Sequence, residues 1–299
     1  MSAFVRLLLA TWFIALGASA HAQAPAKSVV TTERVRAELL AHAPEGVAAG
    51  KPVWLGLQLT HAPEWHTYWK NAGDSGLPTQ LEWTLPPGVL AGDIQWPVPK
   101  KIPIGTLANY GYEGTVLLPV PLEIAPDFKP SMPAQELDVR LKASWLVCRK
   151  ECIPEDGEFT IKLPIRGSTA LNAQAFEAAF AAQPKPVLTT PGKIIPDSTA
   201  QIADGALDVR VQGLPASVRG KKLEFFPETP EVIQTAGAWT QDWNGAVWTA
   251  KVPLSPQRAA SPGVMPMISV RPGRPASETS ATTTSPVAIP TLICRSGPD

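Results

Sequence analysis

Proline sets the first limit on this chain, since 33 of its 299 residues are proline, about twice ordinary usage. Inside a helix a proline removes one backbone hydrogen bond and presses its ring on the preceding turn. A scatter this dense excludes a helical bundle or a coiled coil and leaves short extended runs between turns. From Ser28 to Arg166 the sequence has that form. Val53 to Leu59 follows Gly50, Leu81 to Leu85 stops at Pro86-Pro87-Gly88, and Val116 to Val120 ends among prolines. Each run has the length of a strand bounded by turn formers. Leu137 to Ala143 and Glu158 to Leu163 alternate apolar with polar, the period of a strand with one buried face. Strands at this spacing with no helix between them predict an all-β fold built on a β-sandwich.

Trp54, Trp65, Trp69, Trp83, Trp96 and Trp145 fall within the same stretch. Each ring can bury ~150 to 250 Å², so together they supply the core of such a sandwich. A carbohydrate-binding platform is the other use for them, and the strand patterns around several favour the core. Ser168 to Gln183 reads as a helix, with a Ser/Thr start, an alanine-rich body, Phe176 and Phe180 one turn apart, and Pro184 as its stop. Beyond Pro186 a second β pattern runs through Leu207 to Val211, Lys222 to Phe226 and Ala246 to Val252, too few strands to close a sandwich alone. The expected organisation is a sandwich over 25–167, a connecting helix over 168–186 and a second, smaller β-domain over 187–254. After that the chain turns rich in Ser, Thr, Pro, Ala and Arg. Residues 255–299 are expected to be a disordered tail, with Cys294 left unpaired in it.

Residues 1–24 have the layout of a secretory signal peptide. Arg6 is the basic start, Leu7 to Leu16 the apolar stretch, and Ala20-His21-Ala22 or Ala22-Gln23-Ala24 the cleavage pattern. No later stretch reaches the ~18 apolar residues of a membrane span. The expectation is an exported, soluble chain in a compartment where disulfides form. Basic and acidic side chains balance at 26 each, which leaves no electrostatic footprint for nucleic acid.

Within Ala143 to Glu155 a strand runs into Cys148, Arg149-Lys150-Glu151 make a turn, and Cys152 begins the return. Two cysteines facing across so tight a connection can come within disulfide reach. A structural staple is the plain reading. On the chain-entropy model, however, a link closing about five residues contributes only ~2 kcal/mol, against ~4.7 for a loop of 100. A ring so short is prone to strain, and strained disulfides have the higher potentials of labile, catalytic bonds. Arg149 and Lys150 favour a thiolate while Glu151 opposes it. Cys148 and Cys152 with His61 and His66 would also offer two sulfurs and two nitrogens to zinc or copper, although their spacing matches no familiar zinc pattern.

Four separated motifs then carry a resemblance. They are Trp65-His66-Thr67-Tyr68-Trp69-Lys70-Asn71-Ala72-Gly73-Asp74-Ser75-Gly76-Leu77-Pro78, Ile94-Gln95-Trp96-Pro97, Asn109-Tyr110-Gly111-Tyr112-Glu113-Gly114, and Trp145-Leu146-Val147-Cys148 with Cys152-Ile153-Pro154-Glu155. In that order they resemble the periplasmic N-terminal region of DsbD/ScsB-type protein-disulfide reductases. The likeness covers Val29 to Arg166 well and Val187 to Leu254 loosely. It implies an immunoglobulin-like domain in the periplasm whose cysteine pair takes electrons from a thioredoxin-like donor and passes them to disulfide-containing client proteins. Cys148 and Cys152 stand at the catalytic positions, and Cys152, just past the basic residues, is the preferred attacking sulfur. The resemblance further implies His66 and Tyr68 beside the pair, and Asn109 and Tyr110, with Gly111, in a loop that caps it against stray oxidants. It calls for no cofactor and no metal.

Relatives of this kind continue into a multi-helix membrane domain and a thioredoxin-like domain, neither of which this sequence contains. Two expectations stay open: a free-standing module that docks on a separate membrane redox protein, or an interrupted reading frame with an out-of-frame tail after Ser255. Rival functions stay open too. One is a non-enzymatic module binding protein or glycan through Trp65, Trp69 or Tyr110. The other is copper handling through the cysteine pair and His66.

Overall fold

The computed structural model describes residues 27–129, 135–184 and 198–256. The expected signal peptide over 1–24, and the expected tail with Cys294 from residue 257 onward, lie outside the described residues. Along the chain run β1 (Val29–Thr31), β2 (Val35–His42), β3 (Trp54–His61), β4 (His66–Gly73), β5 (Gln80–Thr84) and β6 (Val89–Ala91). Next come β7 (Lys100–Ile104), β8 (Leu107–Glu113), β9 (Thr115–Ile124), and the long hairpin of β10 (Glu136–Cys148) and β11 (Cys152–Pro164). Helix α1 (Ala173–Ala181) precedes β12 (Thr199–Ala203), β13 (Ala206–Val211), β14 (Thr240–Asn244) and β15 (Val247–Pro253).

These strands form two main sheets and a smaller third one. The first has the order β1-β2-β3-β9-β6, and the second β11-β10-β4-β8-β7 with β5 also paired to β10. The third has the order β12-β13-β15-β14. The predicted all-β architecture, a two-sheet sandwich followed by a helix and a smaller β unit, is what the chain adopts. Strand β10 shows why. Leu137, Val139, Leu141, Ala143, Trp145 and Val147 are buried, while Asp138, Arg140, Lys142 and Ser144 between them are exposed. The period of two lays one continuous apolar face against Leu55, Leu57 and Leu59 of the opposite sheet. Trp69, Trp145 and Trp65 are buried in that same core, so these rings hold the sandwich together and present no platform at the surface.

Two sequence expectations need correction. The helix begins at Ala173, later than Ser168, because Thr169 is held in an extended bridge with Ala43 by reciprocal backbone bonds of 2.8 and 2.9 Å. Phe176 of α1 is fully buried against Leu40 and Leu117, and Phe180 packs on Trp54, so the helix covers the first sheet. The second correction concerns Lys222 to Phe226, which is not a strand. Gln241 bonds both the Leu223 N–H (2.8 Å) and its carbonyl (3.0 Å), standing in for a strand ladder. The adjacent rings then part: Phe225 enters the core of the third sheet and Phe226 the core of the sandwich. Among the described residues, no helix is long and apolar enough to cross a membrane.

Candidate active site

Hairpin register brings the two cysteines together. β10 and β11 pair without a break from Glu136↔Pro164 to Cys148↔Cys152, so the last pair of the ladder is the cysteine pair itself. They form a disulfide with Cα atoms 4.1 Å apart, and the connection is closed by the Arg149 N–H donating to the Glu151 carbonyl (3.0 Å). The two ends differ in access. Cys148 is only 3% exposed and packs with Tyr68, Ala72 and Leu146, whereas Cys152 lies exposed. Below the connection, Glu155 accepts bonds from Thr32 Oγ1 (3.0 Å), Trp145 Nε1 (3.1 Å) and Arg34 (3.3 Å), which ties the hairpin tip to the first sheet.

A buried polar chain approaches the pair from β4 and β8. His66 lies opposite Cys148 in register, and the Tyr68 hydroxyl is 3.5 Å from Cys152 Sγ. A disulfide sulfur carries no hydrogen, so the phenol donates. Ser75 Oγ donates to Asn109 Oδ1 (3.0 Å), and this fixes the orientation of the Asn109 amide. Its Nδ2 then faces the Tyr68 oxygen and His66 Nε2, each at 3.5 Å. Burial pushes the Tyr68 phenol up to about 12, so it keeps its proton at neutral pH. Burial also lowers His66, with Glu113 pulling partly the other way. A neutral ring with an unprotonated Nε2 suits the Asn109 donor.

Asn109 does not sit in a loop. The segment Asn109-Tyr110-Gly111 lies inside β8, paired to Lys100–Ile102 on one side, because the β7–β8 turn falls earlier, at Gly105 with φ 58°. Strand alternation therefore separates the two predicted neighbours of the pair. Asn109 faces the polar chain, while Tyr110 faces the core, its ring 5.1 Å from Phe226 and its hydroxyl bonded to the Phe225 carbonyl (3.4 Å). What covers the site is the turn after β4. Gly76, at φ 109°, lies flat on the Tyr68 ring, where any Cβ would collide. Ser75 and Gly76 stand in the first of the four motifs, but the sequence assigns neither a place at the pair, although Gly73-Asp74-Ser75-Gly76 is a run of turn formers.

The charges and the rival ligand set are also placed. Arg149 stacks over Trp65, 5.2 Å from the ring, and pairs with Glu64 at 3.4 Å, so its charge is engaged beside the pair. His61 is committed at both nitrogens: Nδ1 to the Gly114 carbonyl (2.7 Å) and Nε2 to Thr67 Oγ1 (2.9 Å). The carbonyl can only accept, which puts the hydrogen on Nδ1 and leaves Nε2 accepting from Thr67. Burial lowers His61 to about 4, and no lone pair is left to a metal. Among the described residues, no cluster of three or more His, Cys, Asp or Glu side chains is arranged to hold a metal ion.

A β-sandwich whose hairpin tip presents one exposed and one buried sulfur of a short-range disulfide, with a phenol donor at the exposed sulfur, is a thiol-disulfide redox module. Residues 36–164 match the family model described as thiol:disulfide interchange protein DsbD, N-terminal. That region matches the DsbD N-terminal family and corresponds to a periplasmic region of DsbD/ScsB-like exported proteins. Among solved structures the chain is similar to the N-terminal periplasmic domain of ScsB from Proteus mirabilis, with TM-score 0.57 and 16% identity over 80% of this chain and 88% of that one. No curated protein sequence matches the chain significantly.

Proposed function

We propose that Cys148 and Cys152 relay electron pairs from a thioredoxin-like donor to disulfide-containing periplasmic proteins, with Cys152 as the sulfur that partners meet. The supporting observation is the unequal access of the pair, Cys152 exposed and Cys148 3% exposed. In loading, a donor thiolate attacks Cys152 Sγ, the Cys148–Cys152 bond breaks, and Cys148 departs as a thiolate and takes up a proton. The donor's second thiolate then attacks the mixed disulfide, leaving the donor oxidised and Cys152 as a thiolate. In delivery, that thiolate attacks a client disulfide and forms a new mixed disulfide while one client sulfur leaves. Cys148, losing its proton, attacks Cys152 Sγ, restores the original bond and releases the client's second thiolate. Two electrons have moved from donor to client, and the proton that Cys148 took up in loading is given back in delivery. Tyr68, protonated at neutral pH, supplies a hydrogen bond to the Cys152 thiolate in both halves, and Asn109 and His66 hold the phenol in place. The same surface can dock on a thioredoxin-like domain that is itself part of a membrane redox protein.

Equilibrating the full chain against glutathione and dithiothreitol buffers, with thiol counting, tests this reading. A potential within about −270 to −180 mV, the span of exchange proteins, is expected. A value below about −300 mV, where structural disulfides lie, would make the pair a staple.

A further inference from the structure

One carboxylate links the third sheet to the turn that covers Tyr68. Asp74 Oδ1 accepts the Thr235 N–H (2.8 Å), and Oδ2 accepts the N–H groups of Ala236 (2.9 Å) and Ala108 (2.9 Å). Its own N–H returns to the Ala108 carbonyl (3.0 Å). Three segments distant in sequence thus meet at one side chain: the turn after β4, the start of β8, and the loop leading to β14.

The docking continues along β4. Tyr68 pairs with Gly111 and Gly73 with Asn109, so five residue steps on β4 oppose two on β8 and the residues between bulge outward. That bulge meets the segment before the third sheet's β14. Asn71 Nδ2 donates to the Pro227 carbonyl (2.7 Å), Lys70 pairs with Glu228 (2.7 Å), and Trp69 packs on Phe226. The residues right after Asp74 are those that set the polar chain. Ser75 orients Asn109, and Gly76 lies on the Tyr68 ring.

We propose that Asp74 is a positioning residue for the Cys148–Cys152 pair, through which the small β-domain holds the 73–78 turn over Tyr68 and keeps the Tyr68 hydroxyl directed at Cys152. Its three N–H bonds are charge-assisted, the stronger kind, and each fixes the turn relative to a different segment. Without them Ser75 no longer orders Asn109, the amide is free to flip, and the phenol loses the contact that aims it. The third sheet thereby acts on the chemistry of a sulfur it never touches. The purpose of this arrangement rests on the redox reading above, but its test does not require exchange activity.

The test is the pH profile of Cys152 alkylation by iodoacetamide in the reduced full chain, read peptide by peptide, with amide hydrogen exchange of β10 and β11 as the check on folding. Asp74→Asn keeps the shape but turns an NH2 group toward backbone donors. It should raise the midpoint and lower the thiolate fraction at neutral pH roughly threefold, part of what losing a hydrogen bond to a charged group costs. Exposed Ser75→Ala should move the midpoint the same way, and it carries the test if Asp74→Asn does not fold. Lys70→Met, which removes the Glu228 ion pair outside the turn, should leave the midpoint where it is. An unmoved midpoint in folded Asp74→Asn or Ser75→Ala overturns the proposal. So does a Lys70→Met shift as large as that of Asp74→Asn, since loosened docking in general would then be the cause. If the wild-type pair is inert toward a thioredoxin-like donor, the redox reading fails while these profiles still decide the role of Asp74.

Discussion

Two hairpins of this molecule start from the same plan and end differently. β14 and β15 pair down to Asn244↔Val247 and close with Gly245-Ala246, while β10 and β11 pair down to Cys148↔Cys152 and close with Arg149-Lys150-Glu151. Both bury a tryptophan close to the tip, Trp248 in one and Trp145 in the other. In the first the turn ends in open solvent, with nothing within 4 Å of where a Cβ on Gly245 would lie. In the second the tip lies against β4 and β8, where His66, Tyr68 and Asn109 form a buried polar chain. A tight hairpin supplies proximity, and neighbouring strands supply chemistry. On the proposed reading, reactivity at the cysteine tip is therefore a property of the sheet around it as much as of the cysteines.

The largest expected effect removes that distinction outright. Cys148→Ser and Cys152→Ser should each abolish exchange with a thioredoxin-like donor, yet cost only ~2 kcal/mol of stability, because the lost link closes so short a loop. An insulin-reduction assay beside a urea titration reads both; global unfolding of either variant would make the hairpin depend on its staple.

Acid should separate the two regions next. His61 is lowered from 6.5 to about 4 by burial, and His66 is lowered too, while the third sheet has no histidine at all. The folded protein binds these protons less readily than the unfolded chain. For His61 the neutral ring's stabilisation is thus fully present above pH 6.5 and is lost as pH falls through its folded value near 4, up to about 3 kcal/mol, and His66 contributes with the same sign. Amide exchange at pH 7 and pH 4.5 should show β4 and β8 losing more protection than β13 and β15. His61→Gln should flatten the difference.

A glycine pair sharpens the contrast at the level of single atoms. Gly76 and Gly245 both have positive φ, 109° and 61°. Gly76→Ala drives a methyl into the Tyr68 ring and should cost more than ~2 kcal/mol, whereas Gly245→Ala meets only backbone strain of about 1 kcal/mol. Urea midpoints of the two variants, measured side by side, check the order.

Tyr68→Phe is expected to give the most specific shift, confined to one sulfur. Removing one donor to a thiolate should raise the Cys152 thiol by about one pKa unit, tenfold in thiolate fraction, with the sandwich intact. The pH profile of alkylation measures it, and an unchanged profile would take Tyr68 out of the mechanism.

The sequence alone determined several of the strands, the apolar face of β10 and the meeting of Cys148 with Cys152. Each of these is local: a period of two, a turn of three residues, and an antiparallel register that follows from both. It also determined the class of fold, since dense prolines and turn formers leave few other ways to bury that much tryptophan. Tertiary structure alone decided which neighbours the pair would have. Asn109 and Tyr110 look equivalent on paper, and only the pairing of β8 with β4 sends one to the polar chain beside the pair and the other to the core. Phe225 and Phe226 read as one apolar run until two cores claim one ring each. Asp74 and Gly76 read as turn residues, and their roles depend on Thr235, Ala236 and Tyr68, partners distant along the chain. Local periodicity is written in neighbouring residues, whereas contacts between distant segments arise only when the sheets pack.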